Sequence, residues 1–599
     1  MAVLDVRIFQ HFKRSTFLLK MNASKHAVSS LVICSAFVIY TLAEIEHEGR
    51  SHVQLTPEVA LTGEPFHCEN DPTKFGYTYY GIRYGIAKRF QHADESMDFA
   101  YLSDPKQPKQ GFPCPQHAFA MPGFPKRNLT ISEDCLYLDV YVPPVSQTRN
   151  DSKLPVLFFI YGGGFQIGHK NMYNATELSG AVNAVVVIIN YRVSAYGFLS
   201  TGDGAIKGNY GIGDIKVALQ WVRKHIEKFG GDPEAITIMG QSAGGALTSA
   251  MFLDKNVRES VRAGIAMSGS MFSPWSINRT PKRLADKLSL LLGCPNATQA
   301  QFVQCLTTVP LEQMQNVIQR IEKKFTPWNM FAPVIDGVHL PEPPALMISK
   351  QPPKESKREG IFVTGYLRED SSMSIMVTQF RSMKKPFLPN STFDFPMAKE
   401  IVTFYARLIH PRNLTKTVEQ ILQHYKFDAN DVDRATMRKT FHVVTDIMFA
   451  FSAVQEARAY SNRSFSSHVT SHLYRISYDP KFKGLGSFHG LDLVMLFSGQ
   501  MKAMMDNRTL NAVVVNNFRN MFHQIVQTGR VDGPNAREGY MEFGTSGRWE
   551  AGLEDFSRLS QFWTEQIEKS QICAALPSAL SLNHGQRVDP YLTPFEDER

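Results

Sequence analysis

Between residues 154 and 267 the chain alternates dense apolar runs with segments of helical spacing. Leu154–Ile160 (LPVLFFI) and Ala184–Ile189 (AVVVII) carry branched or aromatic side chains at nearly every position. A strand covered on both faces reads as an unbroken apolar run, whereas one wetted on a single face alternates. Asp214–Phe229 (DIKVALQWVRKHIEKF) sets apolar residues three and four apart, as an amphipathic helix does, and Gly230-Gly231-Asp232-Pro233 ends it. Ala235–Met239 (AITIM) and Ala263–Met267 (AGIAM) predict two more strands, with a helix rich in small residues beginning just after the first. Ile361–Thr364 and His472–Tyr478 predict later strands, and Asp555–Lys569 an amphipathic terminal helix. Gln107–Pro125, rich in Pro and Gly, reads as a loop. Strands alternating with helices predict an α/β chain with a large, mostly parallel central sheet and helices on both faces.

The amino-terminal segment departs from this pattern. Ala27–Ala43 (AVSSLVICSAFVIYTLA) follows a basic stretch, suits a signal-peptide core, and falls short of the roughly 20 residues of a spanning helix. Thr41 and Ala43 place a cleavage before Glu44. Residues 1–43 are therefore read as a signal peptide or, if retained, a signal anchor. No linker, repeat or low-complexity tract marks a boundary in 44–599, which is read as a single domain with no membrane span of its own. Of the formal charge of +8 carried by the 599 residues, the leader holds half, in Arg7, Lys13, Arg14, Lys20 and Lys25 against Asp5. The remainder is too dilute for a nucleic-acid footprint.

Two features suit an oxidising lumen. Nine Asn-x-Ser/Thr acceptors lie beyond the leader, at Asn128, Asn150, Asn174, Asn278, Asn296, Asn390, Asn413, Asn462 and Asn507. Seven cysteines are present, and losing Cys34 with the leader leaves six, whose spacing alone permits 15 connectivities. No CxxC or Cys/His cluster suggests a metal, and no cofactor motif is found. The expected location is the secretory pathway, either extracellular or in the endoplasmic reticulum lumen.

The chemistry centres on Gly240-Gln241-Ser242-Ala243-Gly244. Alone, G-x-S-x-G is a weak signal. Here it follows the strand AITIM and opens the helix GALTSAMFL, the strand–turn–helix setting a nucleophilic serine needs. Tyr161-Gly162-Gly163-Gly164-Phe165, after LPVLFFI, can present backbone N–H groups to the negative charge that ester cleavage places on a carbonyl oxygen. No Lys-Ser/Thr pair follows, as a phosphate loop would need. A serine alcohol needs a base and an orienting acid. His489 lies in the Gly-flanked loop GSFHGLD, and Glu369 and Asp370 follow IFVTG, giving the chain order Ser, acid, His.

With these residues in view, the chain from about 60 to 570 resembles the type B carboxylesterase/cholinesterase family of α/β-hydrolases. The resemblance is carried by SEDCLYLDV (132–140), FIYGGGF, NYR (190–192), FGGDP…ITIMGQSAGG, MSGS (267–270), FAPVIDG (331–337), GYLREDSS (365–372) and GSFHGLD. It implies Ser242 as nucleophile, His489 as base and Asp370 as acid, where the family more often has Glu; adjacent Glu369 is the alternative. It implies oxyanion donors at Gly163, Gly164 and Ala243, and disulfides Cys114–Cys135 and Cys294–Cys305. Cys68 and Cys573 remain; they are expected to pair, the alternatives being two free thiols or an intermolecular bridge through Cys573. Trp275, in SPWS, matches a family aromatic near the acyl site, and with Phe331 it is expected to line the substrate pocket.

Departures from the family narrow the substrate. The loop from Pro115 to Asp134 has no tryptophan to stack on a quaternary ammonium, Phe119 and Phe124 being its large rings. Pro327 and Asn329 stand where acyl-pocket phenylalanines would fall. Gln241 replaces the Glu that commonly precedes the nucleophile, a feature similar to juvenile hormone esterases. The expectation is a serine carboxylesterase hydrolysing small, uncharged, moderately hydrophobic esters through an acyl-enzyme, with no cofactor, metal or nucleic-acid partner. The alternatives are a non-catalytic adhesion or ligand-binding member of the fold, or a cholinesterase-like or juvenile-hormone-esterase-like enzyme.

Overall fold

The computed structural model describes residues 51–566 except 69–70, 97, 100–107, 118–129, 145–152, 295–297, 323–330, 351–358, 376–392, 410–412, 431–433, 463–468, 500–504, 506–509, 545–548 and 553–560. The leader, Cys573, Phe119, Phe124, Pro327, Asn329, and the acceptors Asn128, Asn150, Asn296, Asn390 and Asn507 lie outside the described residues, as does the side chain of Cys68. The chain forms two compact units, Met1–Glu64 and Pro65–Arg599. The described part of the first is an antiparallel hairpin of β1 (His52–Thr56) and β2 (Val59–Thr62), its turn held by Thr56 Oγ1 accepting from the Val59 N–H at 3.1 Å.

An eleven-stranded sheet is built from β3 (Glu64–Cys68), β4 (Asp71–Arg83), β7 (Tyr137–Val142), β8 (Leu154–Ile160), β9 (Val185–Ile189), β10 (Gly231–Gln241), β11 (Ala263–Met267), β12 (Gly360–Leu367), β13 (Val469–Ile476), β14 (Tyr540–Phe543) and β15 (Trp549–Gly552). The intervening β5 (Gly85–Ile86) and β6 (Asp94–Glu95) form a small pair of their own. The order across the large sheet is β15-β14-β13-β12-β11-β10-β8-β9-β7-β4-β3. From β14 to β9 neighbours run parallel; β15 at one edge and β7 and β4 at the other run antiparallel. Helices cover both sides of the sheet, as the α/β pattern predicts.

Every residue of β8, β9 and β11 is buried, the physical reason their sequences show no alternation. The helix expected from Asp214 instead begins at Tyr210 and ends at His225, with a 3-10 turn over Ile226–Phe229. Its first turn holds Gly211 and Gly213, poor helix formers that blur the pattern. Tertiary contacts fix that turn: the Asn209 side chain exchanges hydrogen bonds with the Val334 backbone, and buried Asp214 receives the Arg192 guanidinium at 2.8 and 2.6 Å.

Candidate active site

The parallel strands β8, β10, β11, β12 and β13 end along one edge of the sheet, and the loops that leave them carry the polar chemistry. Gly240 of β10 registers with Ile160 of β8, and Gln241 with Met267 of β11, so these three strands finish side by side. Ser242 then turns the chain at φ 59°, ψ −126°. That is a costly conformation for a residue with a side chain, about 1–3 kcal/mol. It is held by the Ser242 N–H donating to Met267 O at 2.8 Å and the Ala246 N–H donating to Ser242 O at 2.9 Å. The flanking glycines are steric requirements. A Cβ on Gly240 would sit 2.2 Å from Gly244 O, and one on Gly244 would sit 2.1 Å from Ile160 O. The helix Ala243–Leu253 can therefore lie against β8 only without those side chains.

The strip after β8 reaches the same place: a Cβ on Gly162 would lie 2.9 Å from the Ser242 Cβ. Gly163 and Gly164 follow with φ of 125° and 61°. Among the described residues their N–H groups meet no acceptor. The Ala243 N–H, first of its helix, is likewise left without an intrahelical partner. Gly162 thus lies against the serine, and the N–H groups of Gly163, Gly164 and Ala243 are the donors expected to face it.

The residues expected as base and acid follow the next two strands. Leu367 of β12 registers with Ile476 of β13, and a further bridge joins Glu369 to Phe488. Asp370 and His489 follow directly, with His489 Nδ1 2.5 Å from Asp370 Oδ1. The other carboxylate oxygen of Asp370 accepts the Leu367 N–H at 3.0 Å. Burial pulls the His489 imidazole down, but the Asp370 carboxylate outweighs it and leaves the ring above its ordinary value. Glu369 does different work. It accepts the Ser487 N–H at 3.0 Å and pairs with Arg368 at 2.9 Å and His442 at 3.3 Å, clasping the loop that carries His489. Burial pushes Glu369 up, yet these donors together hold it below the usual carboxylate range.

Phe449, Asp492 and Glu456 escaped the sequence reading. The Phe449 ring lies against the His489 ring, centroids 5.0 Å apart and 28° from parallel. It stands on a π-helical turn, Asp446–Ala450, that no motif announces. Asp492 is fully buried beside the pair. Burial and the Asp370 charge push its carboxyl up to about 7. Glu456 is buried between Ser249 Oγ and Ser270 Oγ, each donating at 2.5 Å, and burial raises it to about 7. No sequence signal set Glu456 apart, since its helix also carries Gln455 and Arg458.

Trp275 is buried, donates its indole N–H to Met448 O at 2.8 Å, and contacts Phe165 and Phe449 with centroids 5.8 and 6.1 Å away. Phe331 is also buried, its carbonyl accepting from Gln166 Nε2 at 2.8 Å. Cys114–Cys135 and Cys294–Cys305 are bonded. Of the described glycan acceptors Asn413 is exposed, while Asn174, Asn278 and Asn462 are half-buried. Ser242 and His489 are brought to one edge but not joined: among the described residues Ser242 Oγ makes no hydrogen bond, and His489 Nε2 faces Gln241 Nε2 at 3.2 Å.

A hydroxyl on a strained turn, a carboxylate-bound imidazole and backbone N–H groups without an acceptor are the parts an acyl-transfer site uses. A model of the carboxylesterase family matches residues 55–560. The chain is 31% identical over 329 residues to a carboxylic ester hydrolase of Bombus ignitus, covering 54% of this chain and 56% of that protein. It is 26% identical over 477 residues to carboxylesterase 1E of Mus musculus, 74% and 79% of the two chains. It is also 28% identical over 405 residues to Neuroligin-2 of Homo sapiens, 63% and 46% of the two. The match thus spans about half the length of two of these three relatives.

Proposed function

Because the chain belongs to the carboxylesterase family, we propose that it is a serine hydrolase of uncharged, moderately hydrophobic carboxylic esters. The observation that carries this reading is the Asp370–His489 contact of 2.5 Å at the strand edge where Ser242 turns. Ser242 Oγ attacks the ester carbonyl while His489 Nε2 takes its proton, Asp370 fixing the Nδ1-protonated tautomer and stabilising the imidazolium. The carbonyl oxygen gains charge against the N–H groups of Gly163, Gly164 and Ala243. His489 then returns the proton to the departing alcohol. Water repeats the sequence on the acyl-enzyme and frees the acid.

The aromatic cluster of Trp275, Phe165 and Phe449 beside the base supports an apolar substrate. The neutral Gln241 and the lack of a tryptophan between Pro115 and Asp134 speak against a quaternary ammonium. The two disulfides and the acceptor tripeptides support the secretory pathway, extracellular or lumenal. A second reading, a ligand-binding member without catalysis, draws on the Neuroligin-2 match, whose name states no activity.

The test is hydrolysis of short- and medium-chain p-nitrophenyl esters by purified protein beside Ser242→Ala. Turnover falling by several orders of magnitude in the variant supports the enzyme. No turnover by the folded wild type favours the second reading.

A further inference from the structure

The contact between Gln241 Nε2 and His489 Nε2, 3.2 Å, can be a hydrogen bond in one sense only. Asp370 Oδ1 lies 2.5 Å from His489 Nδ1, and a carboxylate accepts, so the neutral ring carries its proton on Nδ1 and offers a lone pair at Nε2. The amide nitrogen of Gln241 donates into that lone pair. The amide is firmly placed. Gln241 is 3% exposed, and its backbone is the last position of β10, between β8 and β11. Its Oε1 lies 3.3 Å from where a Cβ on Gly162 would stand, so the bare Gly162 backbone leaves the amide its room. Ser242 Oγ, one residue on, makes no hydrogen bond among the described residues.

We propose that Gln241 is a positioning residue: its amide N–H occupies His489 Nε2 in the resting protein, holds the imidazole neutral and oriented, and yields that acceptor to the Ser242 hydroxyl when an ester enters. This deepens, and rests on, the reading of Ser242, Asp370 and His489 as an ester-cleaving set. The exchange replaces one neutral donor at Nε2 by another, so His489 keeps a hydrogen-bond donor at that nitrogen before and after the ester enters. The identity of the donor matters because of what else faces the ring. Asp370 approaches from the loop after β12 and Asp492 from the helix Leu491–Leu496. The Phe449 ring, on the π-helical turn, and the Gln241 amide are uncharged. Tyr474 of β13 lies near both carboxyls, and Glu369 acts one step away through Ser487. With two acids already on the cationic form, an N–H donor at Nε2 is the element that favours the neutral base. A carboxylate there would do the opposite.

The experiment compares the wild type with Gln241→Glu and Gln241→Met, which keep side-chain length but respectively add a charge and remove the donor. Two quantities are followed against pH: kcat/KM for a p-nitrophenyl ester, and the low-field proton resonance of His489 Nδ1–H, which needs no turnover. Gln241→Glu moves the acid limb and the midpoint of the resonance upward by about 1–3 pH units. Gln241→Met moves both upward by less, and above the limb it speeds organophosphate labelling of Ser242, because the hydroxyl no longer competes for Nε2. If both variants keep the wild-type midpoints, or lose kcat/KM equally at every pH, the proposal is overturned and Gln241 is a packing residue. If the wild type has no esterase activity but its resonance moves in the variants, the Gln241 contact stands and the esterase reading falls.

Discussion

At the scale of single residues, two adjacent carboxylates separate by what they touch. Asp370 meets His489, while Glu369 meets Ser487, Arg368 and His442. Asp370→Asn should therefore lower kcat by about 10⁴ by favouring the wrong tautomer. Glu369→Gln keeps a neutral acceptor for Ser487 and should cost less than about tenfold; parallel kcat measurements on the two variants check this. If Glu369 were the acid, the ranking would reverse. With His489 as the proposed base, its raised imidazole would set the pH dependence. The base works only when neutral, so kcat/KM should climb with pH through a midpoint above the ordinary histidine value. Buried Glu456 gives a stability prediction of known sign. Its folded value lies above its unfolded one, so its contribution is full below pH 4.5 and lost as pH rises through about 7. Unfolding free energies from chemical denaturation at pH 5 and pH 8 should differ less in Glu456→Gln, by up to about 3 kcal/mol.

At the scale of elements, the strand–turn–helix around Ser242 was readable because everything that makes it is local. The strand is a continuous apolar run, and the turn needs glycines at fixed offsets. Gly244→Ala places a methyl against Ile160 O and should destabilise by about 1–3 kcal/mol while displacing the serine. Thermal unfolding and turnover measured on one preparation should fall together. β8 and β11 match their sequence bounds for the same local reason. The start of the helix at Tyr210 did not, because contacts with Val334 and Arg192, remote in sequence, decide it. Nor were β14 and β15 anticipated: four-residue strands are too short for a period to register.

At the scale of the whole molecule, seven parallel strands from β14 to β9 bring to one edge residues that lie more than two hundred positions apart in the chain. Ser242 and His489 could be named from their motifs and their order. The Gln241 amide on His489, the Phe449 ring and the buried Asp492 could not, since each depends on how separate strands and helices are placed. The sheet is also pinned by a fully buried pair, Lys170 Nζ to Asp139 Oδ1 at 2.5 Å, whose carboxylate oxygen also takes the Gly81 N–H. Asp139→Ala leaves an uncompensated ammonium inside and should cost about 3–5 kcal/mol in chemical denaturation. The reactivity proposed for Ser242 depends on this whole edge. It is tested most directly by titrating the protein with an organophosphate and mapping the adduct by mass spectrometry. One adduct per chain, on Ser242, and slow labelling in His489→Ala are the expected results. Absence of an adduct in folded protein, or an adduct on another residue, would contradict it.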